Sequence, residues 1–448
     1  MASENKMGTM PEGRLIVTIS FPIMLSMLVQ ALYNIVDSAF VARISEDALT
    51  AVSLAFPVQL LMIAVATGTG VGVNALLSRR LGQKKQEEAN AVAANGVFLS
   101  VCFWLVFAVL GLLFGRSFIA LFTDVPAVID MGTSYVTVVT VASCGVFLLF
   151  VAERLMQATG NTVYHMVTQL IGAVLNCILD PIMIFGLLGF PALGTTGAAL
   201  ATVLSQIIAM SIGFFINVRF NHDVRLHLRG FRPNSGILGE IVRIGLPAAV
   251  QQSLLSVLTV GLNRILMPFS QTAVSFYGVY YKLQNFLFMP VYGLNNALIP
   301  MIGYNFGAKN RRRIERITRY ALYLAVGIMA AGTVLFELIP VPLLRLFDAS
   351  DAMLALGVPA IRIISVSFCF AGASVILSGC MQGLGRGNES LWVALLRQLI
   401  VILPAAVLLS RLSLTAVWLA FPLSEAVGLA AAVLLHRRVT RRLLEPLE

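Results

Sequence analysis

LIVTISFPIMLSMLVQALYNIVDSAFVA, residues Leu15 to Ala42, runs between Arg14 and Arg43 and carries one formal charge in 28 residues, that of Asp37. About 20 apolar residues suffice to cross the hydrocarbon of a bilayer as a helix. Asp37 is therefore a carboxyl group inside a membrane span, where an ionisable side chain costs at least roughly 2.5 to 3.5 kcal/mol on insertion scales and by default marks an ion or substrate pathway. The alternative is an Asp solvated near the outer end of its helix. Polar groups converging at the same depth from other helices decide between the two.

Working outward, 58% of the 448 residues are hydrophobic and 12% charged, against about a quarter charged in an ordinary soluble globule. The composition is that of a polytopic membrane protein. The first apolar run is too long for the core of a signal peptide and reads as a retained span. A net charge of +10 raises the question of nucleic acid, but the basic residues fall in short loops between spans, where they set topology, so no nucleic-acid partner is expected. Cys102, Cys144, Cys177, Cys369 and Cys380 all lie in apolar segments without ligand-like spacing and read as small buried hydrophobes.

Hydrophobic runs give twelve spans, at about 15–42, 48–77, 90–114, 127–152, 163–188, 195–217, 239–267, 272–302, 319–341, 354–381, 390–410 and 413–435. Alternate loops are basic, with Arg79, Arg80, Lys84, Lys85, Arg219, Arg225, Arg229, Lys309 and Arg311 to Arg313 on one side. The opposite loops hold only Arg43, Arg116, Arg345 and Arg411. This asymmetry predicts both termini in the cytoplasm of a multi-pass plasma (inner) membrane protein, and Arg311 to Arg319 is positioned to meet anionic lipid headgroups.

A repeat appears at one spacing. Pro22 recurs as Pro247, Gly68 as Gly293, Gly82 and Lys84 as Gly307 and Lys309, Leu121-Phe122 as Leu346-Phe347, Met156-Gln157 as Met381-Gln382 and Gly160 as Gly385, each 225 residues on. The chain is thus expected to be two parallel copies of a six-span unit, residues 1–225 carrying a cation site and residues 226–448 following it, a geometry suited to alternating access. Between them, Arg219 to Pro233 reads as a basic linker. Its His222 and His227 have no carboxylate or thiol cluster beside them for a metal.

In the fifth span Asn176 and Asp180 stand at i and i+4, on one helix face. Asp180, Asp37 and, in the sixth span, Thr202 all lie at about the same depth below the outer surface. Two buried carboxyls repel, so either one holds a proton or a bound cation neutralises both; four oxygen-bearing side chains suit Na⁺ as well as H⁺. Pro22, about four turns before Asp37, removes a mid-helix hydrogen bond and is the candidate hinge. At the 225 offset Asp37 becomes Leu262, so the second copy has lost that acid and coupling should reside in the first. The second copy instead has Arg264, Lys282, Arg397 and Glu425 in its spans, with Glu425 expected to pair with one of the three cations. In the eighth span Tyr277, Tyr281, Asn285 and Phe288 recur at helical spacing as a candidate substrate-lining stripe. Glu153, beside Arg154 at the inner end of the fourth span, reads as interfacial and is a further cavity candidate.

Taken together, the twelve spans in two parallel copies, Pro22, Gln30 and Asp37 in an FP…Q…VD pattern, the GxK turns, NxxxDP from Asn176 to Pro181 and GAALAT from Gly197 to Thr202 resemble the multidrug and toxic compound extrusion (MATE) family. The resemblance spans nearly the whole chain. It implies an all-α, V-shaped two-lobe antiporter that exports drugs or organic metabolites against inward H⁺ or Na⁺. In the DinF-like branch, Asp37, Asn176, Asp180 and Thr202 match the first-lobe cation site, Pro22 the bending point of the first helix and Gln30 a residue lining the drug cavity. Span seven has Gln251, Gln252 and Ser253 where the NorM-like pattern has an acid, which favours that branch. Tyr33, Asn34, Tyr281 and Asn285 complete the expected cavity list. The expected partners are an amphipathic small molecule and membrane lipid, with a monomeric chain and no cofactor beyond the coupling ion. The alternative is a flippase for lipid-linked saccharides or other lipids, from the same superfamily. A membrane-embedded enzyme lacks material, with no HExxH, no GxSxG and no clustered histidines in the spans, and a primary pump lacks a phosphate loop.

Overall fold

The computed structural model describes residues 5–226 and 231–447, so His227 and Arg229 of the linker lie outside the described residues. Among the described residues, ten helices are long and apolar enough to cross a membrane, and two bent pairs, each taken as one span, raise the number to twelve. In chain order they are α1 (Glu12–Ala42), α2 (Glu46–Gly82), α3 (Gln86–Ala120), α4 (Pro126–Val141 and Cys144–Ala158, bent by 41°), α5 (Thr162–Phe185) and α6 (Gly194–Phe220). Then follow α7 (Ser235–Leu266), α8 (Gln271–Gly307), α9 (Arg311–Leu338), α10 (Asp351–Ser365 and Phe368–Gly383, bent by 47°), α11 (Gly387–Ser410) and α12 (Leu414–Leu444). Large apolar side chains such as Leu112, Leu113, Phe215 and Val218 are exposed, as lipid-facing residues should be.

The repeat is visible in the backbone itself. Ser45 caps α2 by accepting from the Ala48 amide at 3.0 Å, and Ser270, 225 residues on, caps α8 by accepting from Ala273 at 3.1 Å. Lys84 and Lys309, in the turns that follow, share a left-handed conformation with φ of 58° and 56°. The two bends likewise correspond. At each, a serine hydroxyl, Ser143 or Ser367, donates back to the carbonyl three residues earlier, Thr140 or Ile364, and interrupts the helix without a proline.

The described helices pack as two units, but the division does not follow the expected one at residue 225. One unit is Leu25–Ala249; the other is Met1–Met24 together with Val250–Glu448. Both borders fall inside continuous helices, two residues after Pro22 in α1 and two after Pro247 in α7. The physical reason is close helix contact at glycine. A Cβ on Gly245 of α7 would lie 2.2 Å from the Gly68 carbonyl oxygen of α2, and one on Gly293 of α8 would lie 2.6 Å from Met24 Cα of α1. The leading half of α1 therefore packs with α8, and the leading half of α7 with α2, where small residues let backbones approach. Asn305 Nδ2 donates to the Met7 carbonyl at 3.1 Å, and the Arg313 guanidinium donates to the Met7 and Met10 carbonyls, tying the N-terminal segment into the same unit. Gly245→Ala forces a backbone shift costing about 1–3 kcal/mol. It is expected to lower the apparent melting temperature of the detergent-solubilised protein, and an unchanged value would contradict this packing.

In the unit containing Val250–Glu448, Tyr277 and Phe288 leave the expected substrate stripe. Both are buried core residues, their rings 6.4 Å from Phe421 and 5.7 Å from Phe368 respectively. Tyr281 and Asn285 remain half-buried, one helical turn apart, and Arg264 and Lys282 are exposed. Glu425 pairs with Arg397 in a bidentate contact of 2.7 and 3.0 Å. Arg397 lies in a five-residue π-helical segment, Leu396–Ile400, that interrupts α11. Such an insertion rotates one residue out of α-helical register and often marks functional positions. Gly428 of α12 leaves room for the arginine stem, since a Cβ there would come within 2.0 Å of Arg397 Cγ.

Candidate functional site

Within the unit Leu25–Ala249, three helices bring the expected polar residues together. α5 holds Asn176 and Asp180 one turn apart, and Asn176 Nδ2 donates both to Asp180 Oδ1 at 3.3 Å and to Thr202 Oγ1 of α6 at 3.4 Å. One amide thus ties two helices. From α1, the Asp37 carboxyl lies close enough to the Asp180 carboxyl for each to act on the other. Two carboxyl groups so placed repel when both are ionised, so either one holds a proton or a cation offsets their repulsion.

Burial sharpens the requirement. Asp180 is 0% and Asn176 2% exposed. Asp37 Oδ1, Asp180 Oδ2 and Asn176 Oδ1 are buried without a hydrogen-bond partner. Three buried oxygens left unsatisfied, all hard donors, suit a small cation or protons. No group of three or more His, Cys, Asp or Glu side chains with metal-binding geometry occurs among the described residues. The donor set is mixed: two carboxyls, an amide and a hydroxyl.

Around it, Tyr33 of α1 lies close enough to feel the charges of both acids. Gln30, one turn earlier, accepts from Gln169 Nε2 of α5 at 2.8 Å. Asn34 is exposed, and its carbonyl accepts from Ser38. Pro22 is buried in α1 and belongs with the other unit, as do Tyr281 and Asn285. Glu153 is not interfacial. It is 8% exposed and lies in a polar cluster at the other end of α5 from Asp180.

Sequence reasoning missed Tyr135 and Gln59. The Tyr135 ring, 3% exposed on α4, feels the field of Asp37, and its hydroxyl accepts from Gln59 Nε2 of α2 at 3.1 Å. The available signal was an isolated glutamine inside an apolar span, two residues after Pro57.

Comparison with known proteins agrees with this architecture. The MatE family model matches residues 22–182 and again 247–408, so that both matched segments begin at the paired prolines 225 residues apart. The chain belongs to the MatE family. It is a multi-pass membrane transporter, not an enzyme. Among MatE relatives it is similar to the multidrug export protein MepA of Staphylococcus aureus, at 26% identity over 93% of this chain and 91% of the relative. The MepA of Staphylococcus haemolyticus is also 26% identical, over 95% and 93%. Similar solved structures include an outward-facing multidrug resistance MATE transporter of the MOP superfamily, with a TM-score of 0.92 at 26% identity and 98% coverage of both chains. A MOP superfamily transporter from Pyrococcus furiosus, described as having a binding pocket of reversed polarity that suggests a different function, has a TM-score of 0.91 at 26% identity, over 98% of this chain and 99% of that one.

Proposed function

We propose that this MatE protein is an antiporter that exports amphipathic drugs or organic metabolites in exchange for H⁺ or Na⁺, with Asp37 and Asp180 as the cation carriers. One observation supports this reading: a buried Asp180 and a half-buried Asp37 close enough to act on each other, with a buried, unsatisfied oxygen on each and a third on Asn176. Bound Na⁺ would be held by Asp37, Asn176, Asp180 and Thr202, and a bound proton by the two carboxyls. Either load removes the repulsion between α1 and α5 and changes how α1 sits against its neighbour. Because Pro22 cannot donate to the Thr18 carbonyl, α1 yields most readily there. Gln30, Tyr33 and Asn34 are proposed substrate contacts on the same helix; Tyr281 and Asn285 of α8 are proposed substrate contacts of the other unit. Export follows if substrate and cation bind α1 in different conformations, since each then lowers the affinity for the other. The similar MepA proteins, named as multidrug exporters, support the substrate class. The distribution of basic loops supports cytoplasmic termini and a plasma-membrane location.

The test is transport by the purified protein in liposomes of defined lipid, with a fluorescent lipophilic cation as substrate and separate pH and sodium gradients. One of the two gradients should drive efflux, and dissipating it should stop efflux. If neither drives efflux of any substrate while a labelled lipid is flipped across the bilayer, the flippase reading replaces this one.

A further inference from the structure

At the end of α5 opposite Asp180 lies a second buried polar cluster that the coupling scheme does not use. His165 is in the first turn of α5, 11 residues before Asn176, hence about 16 Å from it along the axis. Around it are Asn74 of α2 and Glu153, Arg154 and Gln157 of α4, all buried. Ionisable side chains inside spans call for a functional account with named partners.

The hydrogen bonds fix which atoms bear protons. Gln157 Oε1 accepts from Arg154 Nη1 at 2.7 Å and from Asn74 Nδ2 at 3.4 Å. That assigns the carbonyl end of the Gln157 amide. Its Nε2 therefore faces His165 Nε2, 3.1 Å away, as the donor. The neutral imidazole must then accept at Nε2 and carry its own proton on Nδ1. Nδ1 is buried without a hydrogen-bond partner and stands 3.8 Å from Glu153 Oε2, just beyond bonding distance. Arg154 is the charged group whose field acts on both Glu153 and His165. α2 contributes the amide of Asn74, and α6 contributes Asn217, bonded to the Ala152 carbonyl.

The other repeat shows what the scaffold needs. There Gln382 stands for Gln157 and Ser390 for His165, and Gln382 Nε2 donates to Ser390 Oγ at 3.0 Å. Ser378 and Gly379 stand in place of Glu153 and Arg154. The same bridge between consecutive helices is thus built from neutral groups, so packing does not demand the acid, the guanidinium or the imidazole.

We propose that Glu153 is a proton-binding site separate from the Asp37–Asp180 pair, with His165 as its positioning residue. Ionised, the Glu153 carboxylate is met by the His165 Nδ1–H and balances Arg154; on taking one proton from water it releases the ring. Because His165 and Asp180 share α5, the helix that carries one end of the coupling site responds to protonation at its other end. This role in the cycle rests on the export reading, whereas the binding of the proton does not.

The experiment counts protons taken up by the full-length purified protein on titration over about pH 9 to pH 5. Wild type should take up about one proton more than Glu153→Gln, and the difference should persist when Asp37→Asn and Asp180→Asn are present in both proteins. His165→Phe should leave the count unchanged but move the midpoint of that uptake by about one unit toward higher pH, because the carboxylate loses a donor. Equal counts for wild type and Glu153→Gln, a difference that vanishes with the Asp37 and Asp180 substitutions, or an unmoved midpoint in His165→Phe would each overturn the proposal. Should Glu153→Gln fail to fold, the His165→Phe midpoint decides alone. Loss of gradient-driven export with the proton count intact would count against the coupling reading and not against this site.

Discussion

Asp37→Asn, and separately Asp180→Asn, should abolish gradient-driven export while leaving expression and insertion intact. An asparagine keeps the size and one oxygen of the aspartate but neither ionises nor takes up a proton in this range. Asp180 would then face a neutral amide with no repulsion to relieve, and cation binding would no longer change the balance between conformations. Coupling energies of about 1 to 3 kcal/mol correspond to about 5- to 150-fold in affinity, so the gradient-dependent part of transport should fall by at least that factor. Drug resistance of cells expressing either variant, compared at equal membrane abundance, reads the effect. Full resistance in both variants would sink the carrier assignment. Thr202→Val tests the weaker partner: it removes one oxygen donor while both acids stay, so a sodium-driven cycle should lose affinity and a proton-driven one should be nearly untouched.

The second large effect is expected at Arg397 and Glu425. Their bidentate contact is mostly withdrawn from solvent, with side-chain exposures of 9% and 16%. Removing one partner of such a pair leaves an uncompensated charge and costs about 3–5 kcal/mol, whereas replacing both by apolar residues of similar volume is often neutral. Glu425→Gln is therefore expected to lower the apparent melting temperature of the solubilised protein sharply, and Glu425→Leu combined with Arg397→Met to restore most of the loss. If the double variant is no better than the single, the pair does more than balance charge. The location gives such a result meaning, because Arg397 sits on the π-helical segment of α11, the repeat counterpart of the helix that bears Asp180. The two corresponding helices thus differ in charge, one bearing the acid Asp180 and the other, about two turns from the matching position, the paired cation Arg397.

Much of this was legible in the chain because membrane folding leaves coarse marks. Long uncharged runs bounded by arginines locate helices, and a duplicated unit without net insertion shows as a fixed offset from Pro22 to Gly385. Asn176, Asp180 and Thr202 could be brought together by counting residues from span ends, since depth in a bilayer is roughly a linear coordinate along a helix. What counting misses is contact between particular helices. Hydropathy does not encode that the leading half of α1 packs on α8, which depends on the missing side chain of Gly293. The bends of α4 and α10 have no proline or glycine at the break, only serine hydroxyls turned onto carbonyls. Glu153 was misread as interfacial because its span was expected to stop at residue 152. The helix continues to Ala158, so Glu153 lies inside it and is buried among other side chains instead of reaching water.

The exchange of leading half-helices bears on how such a molecule could have arisen. A single-repeat ancestor, folded alone, would have had a groove where the borrowed segment now lies and a stray arm of its own. Two identical ancestral chains, each lending its arm to the other, would have filled both grooves. Fusion of the duplicated gene would then have made permanent a partnership that had been reciprocal from the start.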